Sequence, residues 1–166
     1  GIQRSSSTPF GAWTTTTPTG KREPKKDMPL IMAAHRIPYV ATACVSYPLD
    51  LIEKIETAKK IKGAKYIQVL APCPSGWRYT SDKTVQIGRL AVETGIWPLY
   101  AIQNGRFKLS ATSERLVEAT KRRPVTEYFE AQGRFRNLTE DDVKEIESYV
   151  SSMWERFREI NNKDLF

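Results

Sequence analysis

Two thiols and one imidazole are the side chains here best suited to nucleophilic or metal-ligating chemistry, and each sits in a different kind of segment. Cys73 lies in "LAPCPSGW" (70–77), between two prolines, where an apolar run stops. Pro72 and Pro74 fix the backbone on either side, Pro74 contributes no N–H, and Ser75-Gly76 turns the chain and offers amides to an anion. A thiolate held rigidly at a strand end suits an iron–sulfur ligand. A [4Fe–4S] cluster needs four thiolates, however, and this chain contains two cysteines, so spacing alone favours a packed or idle thiol. Cys44 stands inside an apolar, β-branched run, where a cysteine acts as a small hydrophobe. His35 reads as an ordinary helix-end residue, with no Ser/Asp or Cys/Asp arrangement fixed around it.

The elements that must position Cys73 follow a repeating order. Residues 1–27 are rich in Ser, Thr, Gly and Pro and show neither helical nor strand period, which predicts a long loop of the kind that serves function or a partner. "DMPLIMAAHR" (27–36) opens a helix, with Asp27 as cap and Pro29 in the first turn. "PYVATACV" (38–45) predicts a strand buried on both faces. Residues 47–63 place Leu51, Ile52, Ile55 and Ala58 on one helical stripe that Gly63 ends. "AKYIQVLAP" (64–72) predicts a second buried strand, residues 81–95 a helix capped by Ser81 and closed by Gly95, and "WPLYAIQ" (97–103) a third strand. Strand, helix, strand, helix, strand at this spacing is the pattern of parallel βαβ units, whose ligands bind beyond the strand carboxyl ends. Cys73 falls in such a loop. Later, "GRFKLSA" reads as an edge strand, residues 124–139 as irregular, and residues 139–160 as a long helix. That helix has Thr139 and Asp142 at its start and Val143, Ile146, Val150, Trp154 and Phe157 on its apolar stripe.

Composition limits the alternatives. At 166 residues with 40% hydrophobic content the chain is long enough for one cored domain. No apolar run reaches the roughly 18 residues of a membrane span, and the first residues lack a signal-peptide layout. Two cysteines without C-x-x-C spacing make neither a disulfide framework nor a zinc site, so a reduced, cytoplasmic setting is expected. No G-x-G-x-x-G follows a strand, which leaves a Rossmann dinucleotide site without support. The net charge of +7 gathers in residues 20–26 and 106–124. It suits solvated surface or an acidic partner subunit better than nucleic acid, although a noncatalytic basic module binding nucleic acid or protein is the rival reading.

Three stretches together carry a resemblance. "GIQRSSSTPFGAWTTTTPTGK", "KKDMPLIMAAHRIPYVATACVSYP" and "YIQVLAPCPSGW" run in the order found in the thiamine-diphosphate-binding β subunit of the 2-oxoacid:ferredoxin oxidoreductases, most like pyruvate:ferredoxin oxidoreductase. The resemblance implies an α/β fold: part of a parallel-sheet thiamine-diphosphate-binding domain over residues 1–103, then a helical carboxyl-terminal extension over 104–166 for subunit contacts. It makes Gly1, Ile2 and Gln3 the end of the thiamine-diphosphate motif and places the family's fourth cluster cysteine on Cys73, while Cys44 matches no ligand. The magnesium ligands and three other cluster cysteines belong upstream of Gly1, so no catalytic residue is expected within this chain. Implied cofactors are thiamine diphosphate, Mg2+ and a [4Fe–4S] cluster, each completed from outside. Implied partners are the other oxidoreductase subunits of α, γ and δ type, ferredoxin, coenzyme A and pyruvate. A branched 2-oxoacid or oxalate is the next substrate class, and neither membrane nor nucleic acid is expected.

Overall fold

The computed structural model describes residues 3–166. Its elements run α1 (Met28–Ala34), β1 (Tyr39–Cys44), α2 (Pro48–Lys60), β2 (Lys65–Leu70), α3 (Pro74–Trp77), α4 (Thr84–Glu93), β3 (Tyr100–Gln103), β4 (Arg106–Leu109), α5 (Ala111–Glu114), α6 (Val125–Glu130) and α7 (Glu140–Ile160), with short 3-10 turns between some of them. The four strands form one sheet in the order β2-β1-β3-β4. No helix among the described residues is long and apolar enough to cross a membrane.

The expected α/β layout and the parallel β1–β2 pair are present, with Tyr39 opposite Lys65 and Cys44 opposite Leu70. The sheet is mixed rather than wholly parallel, because β3 runs antiparallel to β1. The cause lies at Trp97. Gly95 stops the chain after α4 at φ 79°, and the Trp97 indole donates to the Ala43 carbonyl at 2.9 Å, near the carboxyl end of β1. A chain anchored there has only one way to run along β1, which is backwards. β3 then turns into β4 through Asn104 (φ 50°) and Gly105 (φ 85°), a two-residue hairpin turn that needs positive φ at both positions.

β1 is buried along its whole length, as its run of small and β-branched residues predicts. Val40 and Cys44 face the main core, formed with α4, the β3–β4 hairpin, α6 and α7; Tyr39 and Ala41 face a smaller cluster under Ala58 of α2. On the hairpin, the rings of Phe107 and Phe157 stack at 5.1 Å and seat α7. The start of α7 is a full capping box, in which Thr139 and Asp142 each accept from the other's backbone N–H. Residues 124–139, expected to be irregular, instead contain α6 and a 3-10 turn, and bury Tyr128, Phe129 and Phe135. Ser81 does not cap α4; it begins a 3-10 turn, and its carbonyl accepts from the Thr84 hydroxyl.

Two further expectations are overturned at one side of the sheet. β2 is an exposed edge, not a strand buried on both faces, and no described strand pairs with its outer side. The stripe of α2 also faces differently. Lys54 and Ala58 are inside, while Leu49, Ile52 and Ile55 are 82%, 55% and 42% exposed. Lys54 is tolerated inside because its ammonium donates to the Thr42 carbonyl and the Asp50 carboxylate, each at 2.7 Å. The opposite sheet edge is treated otherwise: the Phe107 amide donates to Lys163 and the Leu165 amide to Gly105, so the tail covers β4.

Candidate functional site

Cys73 stands just beyond the carboxyl end of β2 as the residue preceding α3, with extended backbone at φ −113° and an exposed thiol. The two prolines do what the sequence suggests, carrying the chain straight off the strand and into a single helical turn. Its Sγ lies 3.6 Å from the Ser75 hydroxyl. The Gly76 amide first, and that hydroxyl second, hold the thiol below its usual pKa, which favours the thiolate. Cys44 is the opposite case. It is fully buried, 3.6 Å from the Gly88 carbonyl, and burial pushes its pKa up. His35 is exposed at the end of α1, as expected of a helix-end residue. No group of three or more His, Cys, Asp or Glu side chains among the described residues is placed to hold a metal ion.

The Cys73 loop is gripped from two directions. The Arg78 guanidinium, one residue past α3, lies 3.8 Å from the centre of the Trp13 ring, and the Arg78 carbonyl accepts from Gly133 at 2.9 Å. Arg134 then stacks on Trp77 at 3.7 Å, while its own carbonyl accepts from Trp13 at 2.7 Å. The polar amino-terminal loop, the cysteine loop and the segment after α6 therefore close on one another. Sequence reading singled out neither Arg134 nor Trp13, because the signal is a pairing of cation and indole between segments about sixty residues apart.

The amino-terminal loop is a strap, not a solvated basic arm. Gly11 donates to Lys21 and Lys21 back to Ala12, and the Lys21 ammonium turns inward to the carbonyls of Thr8 (2.7 Å) and Pro24 (3.3 Å). Arg22 pairs with Asp142, and Arg123, in the second basic run, pairs with Glu93 and Glu127. Of the basic side chains in these two runs, Arg22 and Arg123 are thus paired with carboxylates of the chain itself.

Between the strap and the carboxyl end of β2 lies a polar pocket of about 270 Å³ whose wall includes Gln3, Ser5, Ser7, Ala71, Trp77 and Arg134. Gln3 is therefore brought to the neighbourhood of the Cys73 loop, whereas Gly1 and Ile2 lie outside the described residues. A second cavity, of about 210 Å³, is mostly hydrocarbon and lies under the strap against α7; it shares Lys25, Gln68 and Trp97 with the first.

No family model matches the chain. Curated proteins do. The chain is 55% identical over 155 residues to the pyruvate synthase subunit PorB of Methanocaldococcus jannaschii, a match spanning 90% of this chain and 50% of that subunit. It is 51% identical over 163 residues to the subunit of the same name from Methanothermobacter marburgensis, covering 95% of this chain and 54% of that one. Over the stretch it shares with them, the chain is similar to the PorB subunits. The ketoisovalerate oxidoreductase subunit VorB of Pyrococcus horikoshii is 46% identical over 165 residues, 96% of this chain and 52% of that subunit. The chain spans about half the length of the curated relatives it matches. At 95% of this chain, the span matched to the M. marburgensis subunit takes in the cysteine loop and most of the strap and α7, so the packing around Cys73 falls within the shared region.

Proposed function

We propose that this chain is part of the β subunit of a multisubunit pyruvate:ferredoxin oxidoreductase (pyruvate synthase), and that its Cys73 supplies one corner of a [4Fe–4S] cluster. The observation that carries the reading is the state of Cys73 itself: exposed, on a loop fixed by two prolines and two cation–indole stacks, and biased toward thiolate. Iron–sulfur clusters are bound by such thiolates, and burial of Cys44 under α4 removes it from the role. One thiol fits one corner only, so the remaining ligands come from elsewhere in the assembly. The cluster, when bound, supplies one-electron transfer to ferredoxin, and the chain's own residues hold its ligand and set the charge around it.

Thiamine diphosphate and magnesium fit less directly. Gln3 faces the polar pocket, but no acidic magnesium site exists among the described residues, so the ligands that hold this cofactor lie outside them. The overall activity proposed is oxidative decarboxylation of pyruvate to acetyl-CoA and CO2, in the cytoplasm, with other subunits of α, γ and δ type, coenzyme A and ferredoxin as partners. Residues 104–166 are proposed as subunit contacts. Pyruvate is preferred to a branched 2-oxoacid because the similarity to PorB of M. jannaschii (55%) exceeds that to VorB of P. horikoshii (46%).

The test is Cys73→Ser in the complete assembly, read by iron content and by electron paramagnetic resonance of the reduced clusters. One cluster signal should be lost or altered, since a serine oxygen is a poorer partner for iron than a thiolate. Cys44→Ala should leave every signal in place. Unchanged iron and spectra in the Cys73 variant would remove this cysteine from the cluster.

A further inference from the structure

Arg134 puts a full positive charge behind the cysteine loop with no carboxylate to balance it. The residue is only 5% exposed, and its partners are neutral: Nε donates to Gln132 Oε1 and Nη2 to the Tyr128 hydroxyl, both at 2.9 Å. No ion pair among the described residues includes it. Burial pulls its pKa down, but a guanidinium keeps its proton in a protein, so the charge stays in a poorly solvated place. Such a charge is costly unless an anion lies within its reach.

The packing aims that charge at Cys73. The guanidinium lies 3.7 Å from the centre of the Trp77 ring, and the Trp77 amide donates to the Cys73 carbonyl at 2.9 Å, so a single residue links the cation to the loop. Tyr128, Tyr79 and Cys73 are the groups whose charges act on Arg134 against burial, and of these only a thiol ionises readily near neutral pH. The placement is also tight. The Gly133 amide donates to the Arg78 carbonyl at 2.9 Å, and a Cβ on Gly133 would fall 2.9 Å from Arg78 Cβ, so the segment carrying Arg134 is pressed directly against the end of the cysteine loop. Arg78 itself is a contrasting cation: it stacks on Trp13 but is exposed, where water and salt screen its field.

We infer that Arg134 sets the reduction potential of the iron–sulfur cluster that Cys73 helps to hold, raising it by keeping a buried, unpaired positive charge behind that ligand. A cluster bound by thiolates is anionic and becomes more so when it is reduced, and net charge and solvent exposure are among the quantities that fix its potential. A cation in a poorly solvated place therefore favours the reduced form. Arg134 is a positioning residue in this role: it offers iron no ligand and acts through the field at Cys73. One electron enters on reduction, from dithionite in the test below, and no bond forms or breaks. The inference rests on the assignment of Cys73 to a cluster.

The experiment uses the full-length subunit in its native assembly, reduced stepwise with dithionite while each cluster's electron paramagnetic resonance signal is followed against potential. Cys73→Ser first marks which signal belongs to Cys73. Should that variant leave iron and every signal unchanged, it is the assignment of Cys73 that fails. With the signal marked, Arg134→Gln should make that cluster harder to reduce by about tenfold, a fall of about 59 mV for one electron, and leave the other potentials in place. Arg134→Lys, which keeps the charge, should restore most of the potential, and Arg78→Gln, at the exposed cation, should shift it less than Arg134→Gln does. If Arg134→Gln fails to assemble, Gln132→Glu decides: it keeps the guanidinium and gives Nε a carboxylate partner, and it should lower the same potential. A marked cluster whose potential is unchanged or raised in the deciding variant overturns the inference. So does an equal fall in Arg134→Gln and Arg134→Lys, which would trace the effect to packing rather than to charge.

Discussion

The guanidinium of Arg134 lies 3.7 Å from the centre of the Trp77 ring, and the backbone of that same tryptophan donates to the Cys73 carbonyl at 2.9 Å. Trp77 is therefore the joint between the cysteine loop and the segment after α6. Trp77→Ala should lower stability by about 2 kcal/mol or more, since a desolvated cation–aromatic contact and an indole's packing are both lost. It should also let Cys73 react faster with iodoacetamide. Trp77→Phe should restore much of the stability, as a ring face remains. Denaturant titration and alkylation rate of the full-length subunit read both effects, and an unchanged rate in Trp77→Ala would show that the prolines alone hold the loop.

Ser75 gives a prediction about protonation. The Gly76 amide and then the Ser75 hydroxyl stabilise the Cys73 thiolate, so its pKa in the folded chain is depressed. Removing a hydrogen bond to the charged form moves a pKa back toward its ordinary value, which for a thiol is upward. In Ser75→Ala the pH midpoint of Cys73 alkylation should rise, while the Gly76 contribution keeps it below that of an unperturbed thiol. A midpoint that stays put would remove the hydroxyl from the balance.

The sheet edge is the next test. β2 offers an unpaired side, Val69 upon it is 40% exposed, and Leu49, Ile52 and Ile55 of α2 lie open. Unpaired strand edges and contiguous apolar surface lead to association. Residues 1–166 expressed alone are expected to aggregate or to bind a hydrophobic dye strongly, and the full length of a PorB-type subunit should abolish both. Lysine at Val69, which places a charge on the edge, should reduce aggregation of the 166-residue chain without altering its far-ultraviolet dichroism. A soluble, dye-negative monomer of these residues would show that the edge is tolerated.

Much of this architecture was legible in the residues, and its failures have specific causes. The hydrophobic run of β1 and the capping pair Thr139/Asp142 act within a few residues of chain, and such local signals were read correctly. The direction of β3 depends on an indole bond from Trp97 to Ala43, a contact between segments that periodicity does not encode. The Asn104-Gly105 dipeptide does carry the hairpin, a turn signal that strand and helix period do not contain. For α2, apolar spacing marked a stripe but could not say that a lysine would take the inner position, because its two acceptors, Thr42 and Asp50, come together only in the folded chain. At the site, Cys73 stood out by its prolines, whereas Arg134 looked like any basic residue near the end of an aromatic segment.

Asp142 links the start of α7 to acid stability. Its carboxylate accepts from the Thr139 amide and pairs with Arg22, and these partners hold its pKa below the ordinary carboxylate value of 3.8. For a carboxyl depressed in the folded state, the unfolded chain binds the proton first, so the contribution is complete above the unfolded pKa and declines as pH falls toward the folded one. Thermal melts of the full-length subunit should show a loss below about pH 4 that is smaller in Asp142→Asn, whose capping is weaker at neutral pH to begin with. Parallel pH profiles for the two proteins would show that other carboxylates govern acid unfolding.

Gly88 supplies the last prediction, and it concerns how closely α4 meets the end of β1. A Cβ at this position would fall 2.1 Å from Ser46 Oγ, 2.9 Å from Ser46 Cβ and 3.2 Å from Cys44 Sγ. In an open helix Gly→Ala is worth about 1 kcal/mol in the favourable direction. Here the collision dominates, because the opposing atoms include a Cβ fixed to buried backbone, and overpacking of this kind costs about 1–3 kcal/mol. Gly88→Ala should therefore be net destabilising. The Ser46 hydroxyl is buried with no oxygen or nitrogen partner and only a weak contact to the Cys44 thiol, so deleting that side chain forfeits little. Gly88→Ala combined with Ser46→Gly should then recover stability relative to Gly88→Ala alone, which a double-mutant cycle of denaturant midpoints would measure as positive coupling. Equal destabilisation in the single and double variants would mean that α4 sits farther from β1 than this packing requires.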